Sequence, residues 1–587
     1  MDKNIDKVRH SLSHLMAMAV LNKFPKAKLA IGPVIENGFY YDFDLGEDKI
    51  TELDLLKLEK EIKKLISLNL EFKKSIVNDK QEALEKVNGE FKKELINKFP
   101  KNEKISFYES GNFTDLCSGP HVKSTKEINK DAFKLTKTAG AYWRGDEKNK
   151  MLTRIYGIAF QTKKELDEYL TMLLEAEKRD HRKLGKELDL FTFSPLVGKG
   201  LPLWTAKGTT IRRELENFIV NEEVKRGYQH VNTPDIAKIE LYEKSGHYPY
   251  YKNSMYAPIK IDDEQFMLRP MACPHHFELY NSKPRSYKEL PFRIAELAKL
   301  YRYEQSGELT GLMRVRSFCL ADSHIICADS SQAKSEINNV LNLIEFVAST
   351  FGLTMGQDYL YRLSLGDKKD TKKYFENDKA WTEAEKILRD VLKKRKCKFI
   401  EAPGEAAFYG PKIDFQMKNV LGKEETAFTV QYDFVMPERF NLVYVDNQGK
   451  EKKTVVIHRS SIGAIERVIA FLIEHYAGAF PLWLSPLQVK ILSVGTTHQK
   501  YCEKLEAKFK ENNIRVETDL NNETVGNKIR KAVNEKIPYL LVIGDKEMNS
   551  NDLAVRVRGQ EKILDIKLDK FIDLIDKLIK DKSLNLK

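Results

Sequence analysis

The spacing of hydrophobic positions changes along the chain, and these changes predict where helices and strands lie. Apolar residues recur every three or four positions at 51–68 and 163–182, which predicts amphipathic helices. Thr51 precedes the first run and an acidic residue follows three positions later, as in a helix capping box. Residues 36–45 predict a turn followed by a strand, and residues 453–461 predict another strand.

From residue 482 onwards the pattern becomes a regular alternation. Strands are predicted at 487–494, 515–520, 539–544 and 552–559, and helices at 500–513, 525–536 and 571–580. This order is typical of an α/β layer of roughly a hundred residues.

These patterns predict a multidomain protein that combines α+β and α/β folds. A chain of 587 residues exceeds the size at which one hydrophobic core keeps growing. We predict an N-terminal α+β domain at 1–162, a charged connecting helix at 163–182, a large domain at 183–481 and the α/β domain at 482–587.

Charge and cysteine content narrow the choice of partner and compartment. The chain has 98 Lys and Arg against 86 Asp and Glu, so its formal net charge is +12, which suits a polyanion such as nucleic acid but is not specific to one. The six cysteines are scattered without a CxxC pair, which favours a reducing compartment. The most apolar stretch, 476–489, is short and contains two prolines, so we expect a cytoplasmic protein without a membrane span.

Two histidine-containing pairs stand out in the N-terminal section. His10 and His14 are four apart in a helical pattern and therefore share one face. Cys117 and His121 are also four apart, but the Gly-Pro sequence between them predicts a loop. The pairs are compatible with a structural zinc site, a hydrolytic site or a metalloprotease. The last is disfavoured because Ser11 stands where a metalloprotease helix carries its general-base Glu.

A second group of candidate functional residues lies at 299–318. Arg302 and Glu304 alternate on one predicted strand, a polar loop follows, and a returning strand carries Arg314 and Phe318. Alone, this is more simply an exposed hairpin with ordinary charge pairs. Far downstream, a predicted strand runs into a helix that carries Arg467.

These two segments resemble motifs 2 and 3 of the class II aminoacyl-tRNA synthetases, and residues 203–234 resemble motif 1. RPMACPHH, ADSHII, AFYGPKIDF, TVQYDF and IHRSSIGAIERV follow in the order found in the threonyl-tRNA synthetase family, and the resemblance covers essentially the whole chain. It implies an editing domain, a class II core built on an antiparallel sheet, and an anticodon-binding domain. It also implies that the small N-terminal β-grasp domain of bacterial relatives is missing.

The resemblance implies activation of L-threonine with ATP and Mg²⁺, transfer to tRNA(Thr), and hydrolysis of mischarged Ser-tRNA(Thr) by a homodimer. Fixed guanidinium groups and Mg²⁺ would stabilise the charge that develops on phosphate. The implied roles are as follows: Arg302 on the α-phosphate and carboxylate, Arg314 and Arg467 on the γ-phosphate, Glu304 on the adenine amino group, Phe318 stacked on the base, and Lys412 beside the reacting groups.

The resemblance also implies a zinc ion held by Cys273, His324 and His458, which spacings of 51 and 134 residues could not show. One thiolate, two imidazoles and an open position suit a catalytic zinc ion. It would bind threonine through the amino and hydroxyl groups; the implied threonine-binding residues are Asp322, Tyr409 and Gln431. Valine lacks the hydroxyl, whereas serine lacks only a methyl, which is worth about 10–200-fold in discrimination.

Serine therefore requires a hydrolytic site, and the resemblance places it at the N-terminal pairs. The implied editing residues are His10, His14, Cys117 and His121, with Lys92, Asp115 and Tyr41 as further candidates, acting without an obligatory metal. In the C-terminal section, Asn522, Glu547 and Arg556 match positions that read anticodon bases. The alternative for these last three is an ordinary solvated surface.

Leu320, Ala321 and Thr426 depart from the family pattern and put finer adenine and threonine contacts in doubt. Three alternatives to threonine activation remain: a serine- or proline-specific class IIa enzyme, an RNA-binding regulator that has lost catalysis, and the metalloprotease. The Cys/His/His set with Asp322 argues against the first, and the three arginines argue against the second.

Overall fold

A computed structural model describes residues 3–87, 89–100, 103–550 and 552–587. The chain forms two compact units, of which the first ends at Leu174 and the second runs Glu175–Lys587. Their boundary falls inside the helix Lys163–Arg179, within the predicted connector. The four domain limits given above stay a prediction.

The first unit is built on the helix Lys3–Lys23, whose apolar side packs against a five-stranded sheet. Thr51 caps the next helix, Glu52–Ser67, and forms the expected capping box with Asp54. The strand predicted from residues 36–45 is Gly38–Asp44. The sheet also contains Lys28–Leu29, Val34–Ile35, Phe133–Tyr142 and Met151–Ala159; a second sheet contains Lys73–Val77, Ile105–Ser110 and Phe113–Leu116; the remaining helices are Lys80–Glu85 and Glu90–Lys98.

The second unit is organised around an eight-stranded sheet. All its neighbouring pairs are antiparallel except the two at its edges, which are parallel. In spatial order the strands are Gln229–His230, Phe292–Tyr301, Ser317–Cys327, Val455–Ala464, Glu424–Asp433, Lys412–Lys418, Tyr359–Leu365 and Phe399–Pro403. The large domain is therefore built on a mainly antiparallel sheet, as the resemblance implies.

Long helices bury this sheet on one side. The helices Ala206–Lys225, Ser330–Thr350 and Ile465–His475 contribute to the same apolar core as the central strands. Further helices are His181–Glu187, Ile239–Ser245, His247–Tyr250, Cys273–Tyr280, Asp378–Lys394 and Met436–Arg439, and further strands are Phe191–Thr192, Leu203–Trp204, Ile236–Lys238, Ile259–Ile261, Glu264–Leu268, Val443–Val445 and Glu451–Lys453.

The predicted hairpin at 299–318 is correct in outline and wrong in detail. The first strand ends at Tyr301 and the second begins at Ser317, so Arg302, Glu304 and Arg314 lie in the connection instead of on strands. The connection is held by ion pairs and backbone hydrogen bonds, which period-2 alternation does not reveal.

The C-terminal part follows the predicted alternation. Its five-stranded sheet has the order Val516–Asp519, Val489–Ser493, Tyr539–Ile543, Asp552–Val557 and Leu564–Lys567. The helices are Gln499–Glu511, Val525–Asn534, Asp545–Met548 and Leu568–Lys580. The sequence missed the last strand and the short helix at 545–548. Among the described residues, the helices are all too short or too polar to cross a bilayer.

Candidate functional sites

A cavity of about 460 Å³ opens above the eight-stranded sheet. It is lined by the connection after Tyr301, by the strands at 317–327, 424–433 and 455–464, and by the start of the helix Cys273–Tyr280. Eleven predicted site residues line it: Cys273, Arg302, Glu304, Arg314, Phe318, Asp322, His324, Tyr409, Gln431, His458 and Arg467. The fold thus brings together residues that are separated by up to 194 positions, from 273 to 467.

The three predicted arginines are held in different ways. Arg467 is half-buried and donates to the carbonyls of Met313 at 3.0 Å and Thr426 at 2.8 Å, and loss of hydration lowers its pKa. Arg302 donates to Pro270 O at 3.3 Å and lies 5.2 Å from the ring centroid of Phe318. This part of the cavity therefore presents fixed positive charge to an anionic ligand.

Arg314 and Glu304 form an ion pair with each other. Arg314 Nη2 lies 2.8 Å from Glu304 Oε2, and the arginine side chain is half-exposed. The backbone carbonyl of Glu304 accepts two hydrogen bonds from Arg316, at 3.1 and 2.9 Å. Contact of Arg314 with a phosphate and of Glu304 with a base would require this pair to separate.

Lys412 lies outside the lining of the cavity that the described residues form. Its Nζ contacts Asp414 Oδ2 at 3.1 Å, and its strand runs beside that of Gln431. Thr426, a position that departs from the family pattern, accepts a hydrogen bond from Gln416 at 2.7 Å. Lys412 is thus near the site but directed towards a buried carboxylate.

Cys273, His324 and His458 meet at one end of the cavity, with candidate ligand atoms all within 4.8 Å of one another. His458 Nε2 lies 2.6 Å from Asp433 Oδ2, and His324 Nδ1 lies 2.7 Å from His276 Nδ1. Each imidazole therefore has one nitrogen engaged and one left for a ligand. One sulfur and two nitrogens so arranged fit a zinc ion with an open position.

The carboxylate behind His276 is Glu296, whose Oε2 lies 3.0 Å from His276 Nε2. Burial opposes the ionisation of Glu296, but hydrogen bonds from His276 and Thr233 and the charge of Arg269 outweigh it and lower its pKa to about 2. Burial lowers the pKa of His324 and raises that of Asp322.

Polar groups for a small ligand surround the candidate metal set. The hydroxyl of Tyr409 donates to Gln431 Oε1 at 2.7 Å, and its ring stacks on His458 at 4.8 Å between centroids. Asp322 is buried on the same strand as His324. This end of the cavity can hold an amino group and a hydroxyl side by side.

The N-terminal pairs also converge. Cys117 Sγ lies 3.3 Å from His10 Nε2 and 3.2 Å from His121 Nε2. The ring of His14 lies 4.3 Å from that of His121. Cys117 and His121 lie in a loop, as predicted, and the four side chains surround a common point. Their donor atoms, within 4.8 Å of one another, also fit a metal ion, so geometry alone keeps the structural-zinc alternative open.

Burial keeps this cluster uncharged. It lowers the pKa of His121 to about 2, lowers the pKa values of His10 and His14, and raises the pKa of the Cys117 thiol to about 11. Neutral imidazoles retain a lone pair that can accept a proton from water.

The three weaker candidates form a buried triad beside this cluster. Asp115 accepts from Lys92 Nζ at 2.7 Å and from the hydroxyl of Tyr41 at 2.7 Å. The carboxylate also lies 3.7 Å from His14 Nε2. Lys92 is 4% exposed, so its charge is compensated within the site.

Sequence reasoning missed residues that orient the predicted ones. The hydroxyl of Ser11 lies 3.1 Å from His121 Nδ1, and Glu296, His276 and Asp433 stand behind the candidate zinc ligands. Ser11 and His276 lie inside motifs that the sequence singled out. Asp433 lies in the quoted motif TVQYDF, and Glu296 carries no signal in the sequence beyond being a carboxylate.

The predicted anticodon residues lie on the C-terminal sheet and its connections. Asn522 and Glu547 follow the strands Val516–Asp519 and Tyr539–Ile543, which are both parallel to Val489–Ser493, the strand between them. Arg556 is exposed and pairs in register with Leu540. Glu547 also accepts a hydrogen bond from Gly544 N at 3.0 Å, so one of its carboxylate oxygens already has a partner within the protein.

Models of three protein families match the chain. They are the class II core domain of tRNA synthetases (G, H, P, S and T) at residues 256–476, an anticodon-binding domain at 488–578, and the threonyl and alanyl tRNA synthetase second additional domain at 105–156.

Similar proteins were found among both sequences and solved structures. The threonine–tRNA ligase of Anoxybacillus flavithermus is 50% identical over 584 residues, covering 99% of this chain and 90% of that one. That of Staphylococcus aureus is 47% identical over 581 residues, covering 98% and 89%. The RNA-binding domain of Cryptosporidium parvum threonyl-tRNA synthetase superposes with a TM-score of 0.64 at 34% identity, covering 68% of this chain and 98% of that one. A prolyl-tRNA synthetase from the same organism, at 14% identity, covering 69% and 78%, and a TM-score of 0.53, shares the fold alone.

Proposed function

The chain belongs to the threonine–tRNA ligase family, and we propose that its two clusters divide the work between synthesis and proofreading. The family reaction is aminoacylation of tRNA, and the matched additional domain is the one that edits mischarged tRNA. The observation that carries the proposal is the meeting of three arginines with a Cys/His/His set in one cavity.

In the synthetic site, the carboxylate of threonine attacks the α-phosphorus of ATP, and pyrophosphate leaves. Negative charge grows on phosphate oxygens in the transition state, so preorganised guanidinium groups lower the barrier. Arg302 and Arg467 are already anchored on backbone carbonyls and need little reorganisation. Arg314 leaves Glu304 to meet the γ-phosphate of ATP, while Glu304 turns to the adenine amino group and Phe318 stacks on the base. Mg²⁺ accompanies the nucleotide.

Lys412 acts at the edge of this site. Its ammonium is paired with Asp414 at 3.1 Å. A contact with the reacting carboxylate therefore requires the side chain to turn away from that partner. Substitution of Lys412 is expected to lower kcat more than it raises KM for ATP.

In this proposal Cys273, His324 and His458 would hold a zinc ion at this end of the cavity. Such an ion would supply a Lewis acid for the amino and hydroxyl groups of threonine. Asp322, Tyr409 and Gln431 bind the same substrate from the protein side. Valine would leave these polar groups unpaired, which costs much more than losing a methyl does.

Serine satisfies the same polar contacts, so the N-terminal cluster acts as a hydrolytic site. A water among His10, His14, Cys117 and His121 attacks the carbonyl carbon of the seryl ester. A neutral imidazole takes the water proton and returns it to the ribose oxygen as the ester C–O bond breaks, so the tRNA leaves with a free hydroxyl. In the triad, Lys92 is held by Asp115 and offers an ammonium N–H to the developing oxyanion.

Two further assignments complete the proposal. Asn522, Glu547 and Arg556 contact splayed anticodon bases of tRNA(Thr). The helix Ala206–Lys225, by its resemblance to motif 1, contributes to a homodimer, which sedimentation of the purified protein would test.

The first test is amino-acid-dependent exchange between ATP and pyrophosphate with threonine, serine, valine and proline. Strong exchange with threonine, weaker exchange with serine and almost none with valine or proline are expected. Strongest exchange with serine or proline would instead assign the chain to another class IIa specificity, and no exchange at all would favour an RNA-binding protein.

A further inference from the structure

His276 connects a buried carboxylate to a candidate zinc ligand. Its Nε2 lies 3.0 Å from Glu296 Oε2 and its Nδ1 lies 2.7 Å from His324 Nδ1. All three side chains are at most 2% exposed, so the contacts are shielded from competing water. Their alignment leaves His324 Nε2 as the nitrogen available to the group formed with Cys273 and His458.

The hydrogen bonds along this chain have a defined direction. Glu296 is fixed as an acceptor because Arg269 Nη1 and the backbone N–H of Thr233 donate to Oε1, both at 3.1 Å, and the Thr233 hydroxyl donates to Oε2 at 2.8 Å. His276 must therefore donate from Nε2, since a carboxylate only accepts. A neutral His276 then has a bare Nδ1, and His324 donates to it.

The hydrogen bond from His324 to His276 determines which nitrogen of His324 can bind a metal. An imidazole that donates from Nδ1 has its lone pair on Nε2, which is the form a metal requires. The opposite direction would put a hydrogen on Nε2 and block the site. For His458 the tautomer is fixed directly by a carboxylate, because its Nε2 lies 2.6 Å from Asp433 Oδ2. For His324 the carboxylate of Glu296 acts through a second imidazole, that of His276.

We infer that Glu296 and His276 form a relay that orients His324 and holds it in the metal-binding tautomer. They are positioning residues and touch neither substrate nor metal. The inference rests on the zinc site proposed above, and its prediction concerns metal affinity instead of turnover.

The test is zinc affinity of the purified full-length chain, measured by competition with a chromophoric chelator, together with total zinc content. Glu296→Gln offers an amide that can donate and so no longer enforces the direction. Its affinity is expected to fall about 10–100-fold, the usual effect of removing a partner of a metal-bound histidine. Glu336→Gln is the matched control. Glu336 is also a buried glutamate, and its partner is Arg293, which lies on the same strand as Glu296.

Two variants of His276 separate orientation from packing. His276→Gln keeps an acceptor for His324 and a donor for Glu296, so it is expected to retain zinc far better than His276→Leu, which keeps neither. Equal affinity in these two variants, or wild-type affinity in Glu296→Gln, would overturn the relay while leaving the zinc site intact. Failure of the wild-type chain to bind zinc would instead overturn the proposed site. Thermal unfolding of each variant checks that the comparison is between folded proteins.

Discussion

Ser11 shows how one hydroxyl determines the chemistry of a neighbouring imidazole. A serine hydroxyl has one hydrogen and two lone pairs. In Ser11 it donates to Lys7 O at 2.8 Å, accepts from Val122 N at 3.1 Å, and faces His121 Nδ1 at 3.1 Å. In this arrangement His121 is the donor, so its Nε2 keeps a lone pair towards Cys117.

Ser11→Ala is therefore expected to slow hydrolysis of Ser-tRNA by about tenfold, the upper range for a lost hydrogen bond. Ser13→Ala is its control, since Ser13 is also fully buried on this helix but bonds the carbonyls of His10 and Gly32. The measurement is the single-turnover deacylation rate at saturating enzyme. Equal slowing in both variants would show that the helix, and not His121, is affected.

The lowered pKa values in the same cluster predict a flat pH profile. His121, with a pKa of about 2, stays neutral when the solution is acidified through the ordinary histidine range, and burial also lowers the pKa values of its neighbours His10 and His14. The base is then lost only below these lowered values. Ser-tRNA hydrolysis, corrected for spontaneous hydrolysis, is expected to hold level between about pH 5 and 8. A loss of rate centred near the ordinary histidine pKa would contradict it.

For individual site residues, the sequence predicted spatial proximity only where the residues are close together in the chain. His10 and His14 share a helix face because of their spacing, and this could be predicted. Cys273, His324 and His458 are separated by 51 and 134 positions, so only the resemblance or the folded sheet brings them together. The residues behind them were missed because orientation depends on side-chain directions that spacing does not encode.

The connection between the strands Phe292–Tyr301 and Ser317–Cys327 is held by an element far away in the chain. His181 begins the helix His181–Glu187, and its Nδ1 contacts Glu474 at 2.7 Å. Its Nε2 accepts from the backbone N–H of Leu312 at 3.1 Å. Gly311 packs against this ring with a φ of +49°, where an added Cβ would lie 2.1 Å from His181 Nε2.

Gly311→Ala is expected to displace this connection and with it Arg314. Misplacing a binding group by about 1 Å can cost about a hundredfold in rate, so kcat/KM for ATP in the exchange reaction is expected to fall by at least about tenfold. Gly307→Ala is the control in the same connection, because an added Cβ there meets nothing within 4 Å. Matching rates for the two variants would show that the His181 contact does not position the connection.

This connection also explains where element prediction failed. Alternating charges at 302–304 and 314–316 have the period of a strand, but these residues are fixed by ion pairs such as that between Arg314 and Glu304. The C-terminal alternation was predicted well because each of its elements has a strongly apolar buried side. Hydrophobic periodicity therefore identifies helices and strands that pack on an apolar core. It is misleading where ion pairs and hydrogen bonds fix the backbone.

On the scale of the whole molecule, the two candidate sites belong to different compact units, so each can be disabled alone. The His/Cys cluster lies in the unit that ends at Leu174, and the cavity lies in Glu175–Lys587.

The zinc content of the purified protein distinguishes the two interpretations of the N-terminal cluster, a hydrolytic site without metal and a structural zinc site. One zinc per chain, lost in Cys273→Ala and kept in Cys117→Ala, is expected; a second zinc that Cys117→Ala removes would favour a structural zinc site.

The double variant His10→Ala/His14→Ala is expected to leave pyrophosphate exchange unchanged and to accumulate Ser-tRNA. The synthetic site alone separates threonine from serine by one methyl group, or about 10–200-fold. Without hydrolysis, the Ser-tRNA to Thr-tRNA ratio at equal amino-acid concentrations should rise to between about 1:200 and about 1:10, the reciprocal of that preference. Cys273→Ala is the converse control, expected to lose activation yet still hydrolyse Ser-tRNA supplied to it. If the double variant formed no more Ser-tRNA than the wild type, the synthetic site alone would reject serine, and the N-terminal cluster would need another role.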